Sequence, residues 1–201
     1  MTSEQVMEPQ DLKKQIREQA HANRLAQQDK DSLSQAICRK FAELQEFAAA
    51  RTVMAYLDVR TEVRTRHYLP SLLASGRRIV VPYCVERELE LFLLDNMDEL
   101  AVGMYKILEP KAELREAPGK RVEVSELDLI MVPGVAFDPR GARMGHGFGY
   151  YDKLLEHARR DAPLVALAFE CQLFPQIPTQ AHDVFMDKII TEKTIYTGRG
   201  R

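Results

Sequence analysis

With 201 residues, 45% of them hydrophobic, and a formal net charge of −2, the chain can bury one full core but carries no overall basic field to hold a nucleic acid or an anionic membrane. Cys38, Cys84 and Cys171 are odd in number and widely spaced, with no close pair for a metal knuckle or a redox couple, and read as reduced thiols of a cytoplasmic protein. No apolar run approaches the ~18 residues that span a bilayer, and the first ten residues are polar, so the expectation is a chain that stays where it is made.

Two helical patterns come first. Leu12, Ile16 and Ala20 give the segment to Arg24 a sparse apolar stripe, while Leu33, Ile37, Phe41 and Leu44 give the second a fuller one, so the first helix is expected to be the more exposed. After Arg51 the rhythm changes to short β-branched runs separated by helical stretches. The runs are 52–57, 79–83, 88–94, 127–132 and 164–169. A helical segment precedes Gly76, with Pro70 either starting or kinking it. Residues 83–90 read as a hairpin tip and 111–120 as a charged connector. This alternation predicts an α/β fold in a single domain, residues 1–201: a mostly parallel central sheet flanked by helices, with N-terminal helices and loose termini at 1–10 and 198–201.

Five of the ten glycines fall between Gly134 and Gly149. An apolar run at 127–132 enters this segment, and 150–160 leaves it with helical spacing, so the pattern is strand, glycine-rich turn, helix. Glycines let the backbone approach a ligand closely, and free amides at a helix start attract anions, so the ligand suggested is a phosphate. The loop lacks the Gly-Lys-Ser/Thr ending of a P-loop, and Gly145-x-Gly147-x-Gly149 is not the dinucleotide fingerprint. The glycines by themselves are also compatible with a tight strand-to-helix turn and nothing more. Arg140 and Arg143 add planar cationic forks suited to phosphate oxygens, and Asp152 lies close enough in sequence to hold a Mg²⁺ that bridges them.

The run Arg143-Met144-Gly145-His146-Gly147-Phe148-Gly149-Tyr150-Tyr151-Asp152 resembles the signature of the 5-formyltetrahydrofolate cyclo-ligase family. Lys13-x-x-x-Arg17, the segment from Tyr56 through Thr65 with Glu62, Ile107-Leu108-Glu109-Pro110, and Ala168-Phe169-Glu170-Cys171-Gln172 through His182-Asp183 follow in the family's order, so the resemblance covers roughly 11–196. It implies a Rossmann-like scaffold of the kind used by sugar-phosphate isomerases and CoA transferases. It also implies ATP- and Mg²⁺-dependent conversion of 5-formyltetrahydrofolate to 5,10-methenyltetrahydrofolate. Partners are then small molecules, with no nucleic acid and no membrane, and the chain is expected to be a monomer.

Roles follow from the same resemblance. Lys13, Lys14, Arg17 and Arg143 neutralise the ATP phosphates, with Lys13 and Arg143 also acting on the transferring group. The segment Met144, Gly145, His146, Gly147, Phe148, Gly149, Tyr150 and Tyr151 cradles the nucleotide. Leu57 and Glu62, with His146 through Tyr150, line the folate pocket. Asp152 and Asp183 hold Mg²⁺, with Asp187 a nearby substitute. Each residue has a plainer reading beside this one. Lys13 and Arg17 suit a solvated helix face, Tyr150 and Tyr151 suit packing, Asp152 suits a helix dipole, and Asp183 suits a cap. His146 and His182 lack partners at zinc-ligand spacing.

His146 stands where the family usually has a basic or aromatic residue, and Phe148 where glycine or lysine is common. Substrate fit is therefore expected to depend on both, with a folate Michaelis constant that changes between about pH 5 and 8 if His146 lines the pocket. Two rival classes remain at this level. A non-catalytic folate- or nucleotide-binding module would keep the pocket without turnover. A sugar-phosphate isomerase or acyl-CoA transferase would need a general base or nucleophilic glutamate and no ATP.

Overall fold

The computed structural model describes residues 9–103, 107–180 and 183–201. Among the described residues eleven strands form the sheets: β1 Thr52–Met54, β2 Arg78–Val85, β3 Glu88–Leu94, β4 Leu100–Val102, β5 Leu108–Pro110, β6 Leu129–Val132, β7 Ala136–Phe137, β8 Arg143–Met144, β9 Leu164–Leu167, β10 Lys188–Ile190 and β11 Ile195–Thr197. The helices are α1 Pro9–Ala26, α2 Lys30–Ala42, α3 Gln45–Ala49, α4 Leu69–Leu73, α5 Ala112–Arg115 and α6 Tyr150–Glu156. Seven strands form the main sheet in the order β11-β10-β9-β6-β1-β2-β3. The five central strands pair in parallel, and β3 and β11 close the two edges antiparallel. This is the mostly parallel α/β sheet that the alternating pattern predicts.

Burial on both faces explains why the central strands read as continuous apolar runs: all four residues of β6 and of β9 are buried. Their side chains alternate between two cores. Val53, Leu129, Met131 and Val165 share one with Ile37 and Phe41 of α2 and Phe47 of α3, while Met54, Ile130, Val132 and Ala166 share the other with Leu154 and Leu155 of α6. A third cluster joins Ile16 and Ala20 of α1 to Val135, Ala136 and Met144 of the β7–β8 hairpin. The sparse stripe of α1 thus has its own small platform, apart from the sheet.

Several boundaries differ from the sequence reading. Helix α1 begins at Pro9, so Gln10 is not in a loose terminus. Leu44 lies beyond α2 as the residue that caps α3. Pro70 starts α4, where its missing amide costs nothing. The expected 150–160 helix stops after seven residues, at Glu156. The hairpin tip narrows to Glu86 and Arg87, at φ 44° and 72°, the paired positive angles of a two-residue turn that matches strand twist. Gly198 through Arg201 are tied down: Gly198 N donates to Asp187 O at 2.8 Å and Arg199 N to Arg140 O at 2.8 Å. The Arg201 guanidinium donates to the carbonyls of Ala158 at 2.9 Å and Ala162 at 2.7 Å. The short strands β4, β5, β7, β8, β10 and β11 carry too few residues to show a period and were not read from the sequence.

Candidate active site

Three loops leave the C-terminal ends of parallel strands side by side: 55–62 after β1, 133–149 after β6 with the β7–β8 hairpin inside it, and 168–172 after β9. In an open α/β sheet this is the edge at which ligands bind. Helix α1 reaches across it. Its Arg17 Nε donates to the Gly145 carbonyl at 3.0 Å, and the Arg17 guanidinium carbon lies 3.9 Å from where a Cβ on Gly147 would stand. Asn23 Nδ2 donates to Cys171 O at 2.9 Å, and Arg24 Nη1 to Gly134 O at 3.2 Å. Residues at 13, 17, 20/21 and 24 share one helical face, so anchoring Arg17 and Arg24 turns half-buried Lys13 toward the same loop, while Lys14 is exposed.

Gly147 at φ 97° and Gly149 at φ 73° take conformations that side chains avoid, and Gly149 opens α6. Because α6 has only seven residues, its dipole is smaller than the sequence suggested, and cationic side chains carry most of the positive potential. Arg143 is well enclosed: its side chain is 4% exposed and pairs with Asp152, which is 56% exposed. Arg143 Nη1 also donates to Pro133 O at 3.3 Å, and its guanidinium stands 5.8 Å from the Tyr151 ring centre. Tyr151 packs against both sheet cores, and burial first, then the charge of Glu62, pushes its hydroxyl well above the usual tyrosine range. Of the tyrosine pair, Tyr151 is the packing residue. Tyr150 faces outward beside Phe148, ring centres 5.9 Å apart. Met144 is buried in the α1 platform.

Arg140 does not join the phosphate cations. Its guanidinium is bound to the fully buried Asp138, through Nη2 at 2.6 Å and Nε at 3.1 Å, because a carboxylate taken out of water needs a partner. Asp187 is likewise occupied within the fold, its carboxylate accepting from Leu164 N at 2.7 Å. Asp183 closes a turn, accepting from Gln180 N at 2.6 Å. No group of three or more His, Cys, Asp and Glu side chains among the described residues is gathered for a metal. His182 lies outside the described residues.

Glu62 and Leu57 of the loop after β1 are both buried, each 7% exposed. Glu62 Oε2 accepts from Val59 N at 3.0 Å, and its Oε1 faces His146 Nε2 at 3.4 Å. His21 of α1, a residue the sequence reading passed over, stacks on His146 with ring centres 5.4 Å apart. Burial first, then the charges of Arg24, His146 and Arg60, hold the His21 pKa below 6.5. Arg24 was missed as well. It is 2% exposed, and its Nε has no hydrogen-bond partner among the described residues. Helical spacing from Arg17, at i+4 and i+7, is the signal that would have found both. Gln172 completes the floor, its amide donating to the carbonyls of Gly134 at 3.0 Å and Val135 at 2.9 Å.

A parallel α/β sheet with a cation-flanked glycine loop at its C-terminal edge is the arrangement in which α/β proteins bind ligands beyond the strand ends. The model of the 5-formyltetrahydrofolate cyclo-ligase family matches residues 8–192, and the chain belongs to that family. The chain is 33% identical over 151 residues to the 5-formyltetrahydrofolate cyclo-ligase of Mycolicibacterium smegmatis, covering 72% of this chain and 75% of that one. It is 29% identical over 179 residues to the probable cyclo-ligase of Schizosaccharomyces pombe, covering 82% and 86%. The NMR structure of Aquifex aeolicus 5,10-methenyltetrahydrofolate synthetase superimposes with a TM-score of 0.81 at 31% identity, covering 94% of this chain and 95% of that one. No helix among the described residues is long and apolar enough to cross a membrane.

Proposed function

We propose that this enzyme closes the ring of 5-formyltetrahydrofolate to give 5,10-methenyltetrahydrofolate, at the expense of ATP and with release of ADP and phosphate. The observation that carries the reading is the convergence on one glycine loop of Arg17, from α1, and Arg143, from β8, with the Glu62 carboxylate beside it. The substrate's formyl group is an amide, and attack on its carbon by N10 would have to expel a very poor leaving group. Transfer of the γ-phosphoryl of ATP to the formyl oxygen removes that obstacle. N10 then attacks the resulting iminium phosphate, the C–O bond breaks, phosphate leaves, and the N10 proton passes to solvent.

Such a route needs alignment and charge neutralisation in place of a covalent nucleophile. Lys13, Arg17 and Arg143 supply positive charge, and the amides of 145–149 supply donors. Glu62 accepts hydrogen bonds from the folate, with Leu57 as an apolar wall. Asp152 offers a half-exposed carboxylate next to the loop, and carboxylate plus phosphate oxygens is the donor set magnesium takes. Asp152 and Asp183 would hold the ion, which would supply further charge neutralisation on the phosphates when bound.

The test is to mix purified protein with 5-formyltetrahydrofolate, Mg²⁺ and ATP and follow the near-ultraviolet absorbance of the conjugated product. A rise that requires both ATP and Mg²⁺ is expected. Folded protein that binds both substrates without a rise would leave a non-catalytic module as the answer.

A further inference from the structure

Arg24 is the largest of the fully buried side chains, at 2% exposure. Among the described residues its guanidinium makes a single hydrogen bond, from Nη1 to the Gly134 carbonyl at 3.2 Å, its Nε has none, and no carboxylate pairs with it directly. An arginine does not shed its charge in a protein, and one hydrogen bond returns only part of what the cation loses with its water. The Gly134 carbonyl does not depend on it, since Gln172 Nε2 donates to the same oxygen at 3.0 Å. The docking of α1 has its own apolar contacts in Ile16 and Ala20. An apolar side chain filling the same space would serve the fold as well, so the buried charge points to another task.

A buried charge of opposite sign lies on the same side of the glycine loop. Glu62 is anchored through Oε2 to Val59 N, and no lysine or arginine among the described residues pairs with it directly. His21, one turn before Arg24 on α1, stacks on His146, whose Nε2 faces Glu62 Oε1 at 3.4 Å. The face of α1 that carries Arg24 is thereby laid toward this carboxylate. Neither histidine takes the arginine's place. The His21 pKa is lowered, by burial first and then by Arg24, and His146 is 41% exposed, where solvent screens a charge. Arg24 in turn senses Glu62: burial lowers its pKa, and Glu62 is the largest influence in the opposite direction. In surroundings that exclude water, opposite charges act on one another beyond hydrogen-bond reach.

We propose that Arg24 is the positioning residue of Glu62. Fixed on the Gly134 carbonyl, its guanidinium is the buried counter-charge that lets this carboxylate stay out of water beside the folate pocket, and because the two make no direct ion pair, the carboxylate keeps its capacity to accept from the substrate. The role rests on the folate reading above and adds a residue to it.

The experiment compares Arg24→Met, Arg24→Lys, Glu62→Gln and the double variant Arg24→Met with Glu62→Gln, by urea denaturation and by KM for 5-formyltetrahydrofolate. Each single neutralisation leaves the other charge buried alone and should lower the urea midpoint, while the double variant recovers part of the loss. Arg24→Met should raise KM for the folate about tenfold, the scale of one weakened hydrogen bond to a charged group, with KM for ATP little changed. Arg24→Lys should restore most of it, and adding Arg24→Met to Glu62→Gln should raise it no further. An anchor that only holds α1 would give additive losses; additive midpoints, or a folate KM that Arg24→Met raises equally with and without Glu62, overturn the proposal. Should Arg24→Met fail to fold, a double variant that folds upholds the pairing and one that also fails removes it. If no folate turns over, the catalytic reading falls, and the urea cycle, which needs no substrate, still decides the pairing.

Discussion

Arg143 lies between the carbonyl of Pro133, the carboxylate of Asp152 and the ring of Tyr151, so its charge is held in place before any ligand arrives. Removing one preorganised donor that meets transition-state charge costs roughly 10²–10³ in turnover. Arg143→Ala should show that loss in the absorbance assay while retaining a cooperative melt, and wild-type turnover in the folded variant would refute the role. His146 faces Glu62, Nε2 to Oε1 at 3.4 Å, beside His21, whose pKa is lowered by burial first and then by Arg24, His146 and Arg60. At this scale the sequence marked Arg143, Gly147 and Glu62, but it could not show that Arg140 serves Asp138.

The element that decides the site's completeness is α1. It packs on the β7–β8 hairpin through Ile16 and Ala20 and delivers Arg17, His21 and Arg24 along one face. Its sparse apolar stripe was legible, although what the stripe packed against was not, because hairpin strands of two residues leave no periodic trace. The C-terminal tail shows the converse. Read as loose from its composition, it is pinned instead to the segment that follows α6, with Arg201 donating to the carbonyls of Ala158 and Ala162. Hydrogen bonds from a charged donor are worth about 1.5–3 kcal/mol in a folded protein. Arg201→Ala should lose stability on that scale in urea denaturation, with an unchanged m-value. A midpoint equal to the parent's would mean that the tail adds nothing.

At the level of the whole molecule, three apolar clusters of unequal depth share the burden of stability. Strands β1, β6 and β9 are buried throughout, whereas α1 belongs to the small outlying cluster. Native-state hydrogen exchange should therefore protect the amides of β6 and β9 up to the global unfolding free energy and release those of α1 earlier. Equal protection in α1 and β6 would contradict a separable platform. The sequence by itself determined the α/β class, the central strands and the glycine loop, because a doubly covered parallel sheet writes itself as apolar runs and a close backbone approach writes itself as glycine. Only the tertiary structure decided which cations meet that loop. Arg17 and Arg143 are separated by 126 positions, and Arg140 lies three from Arg143 but turns to a buried aspartate. Charge has no period along the chain, and its destination is set by which carboxylates and carbonyls the fold leaves in need of a partner.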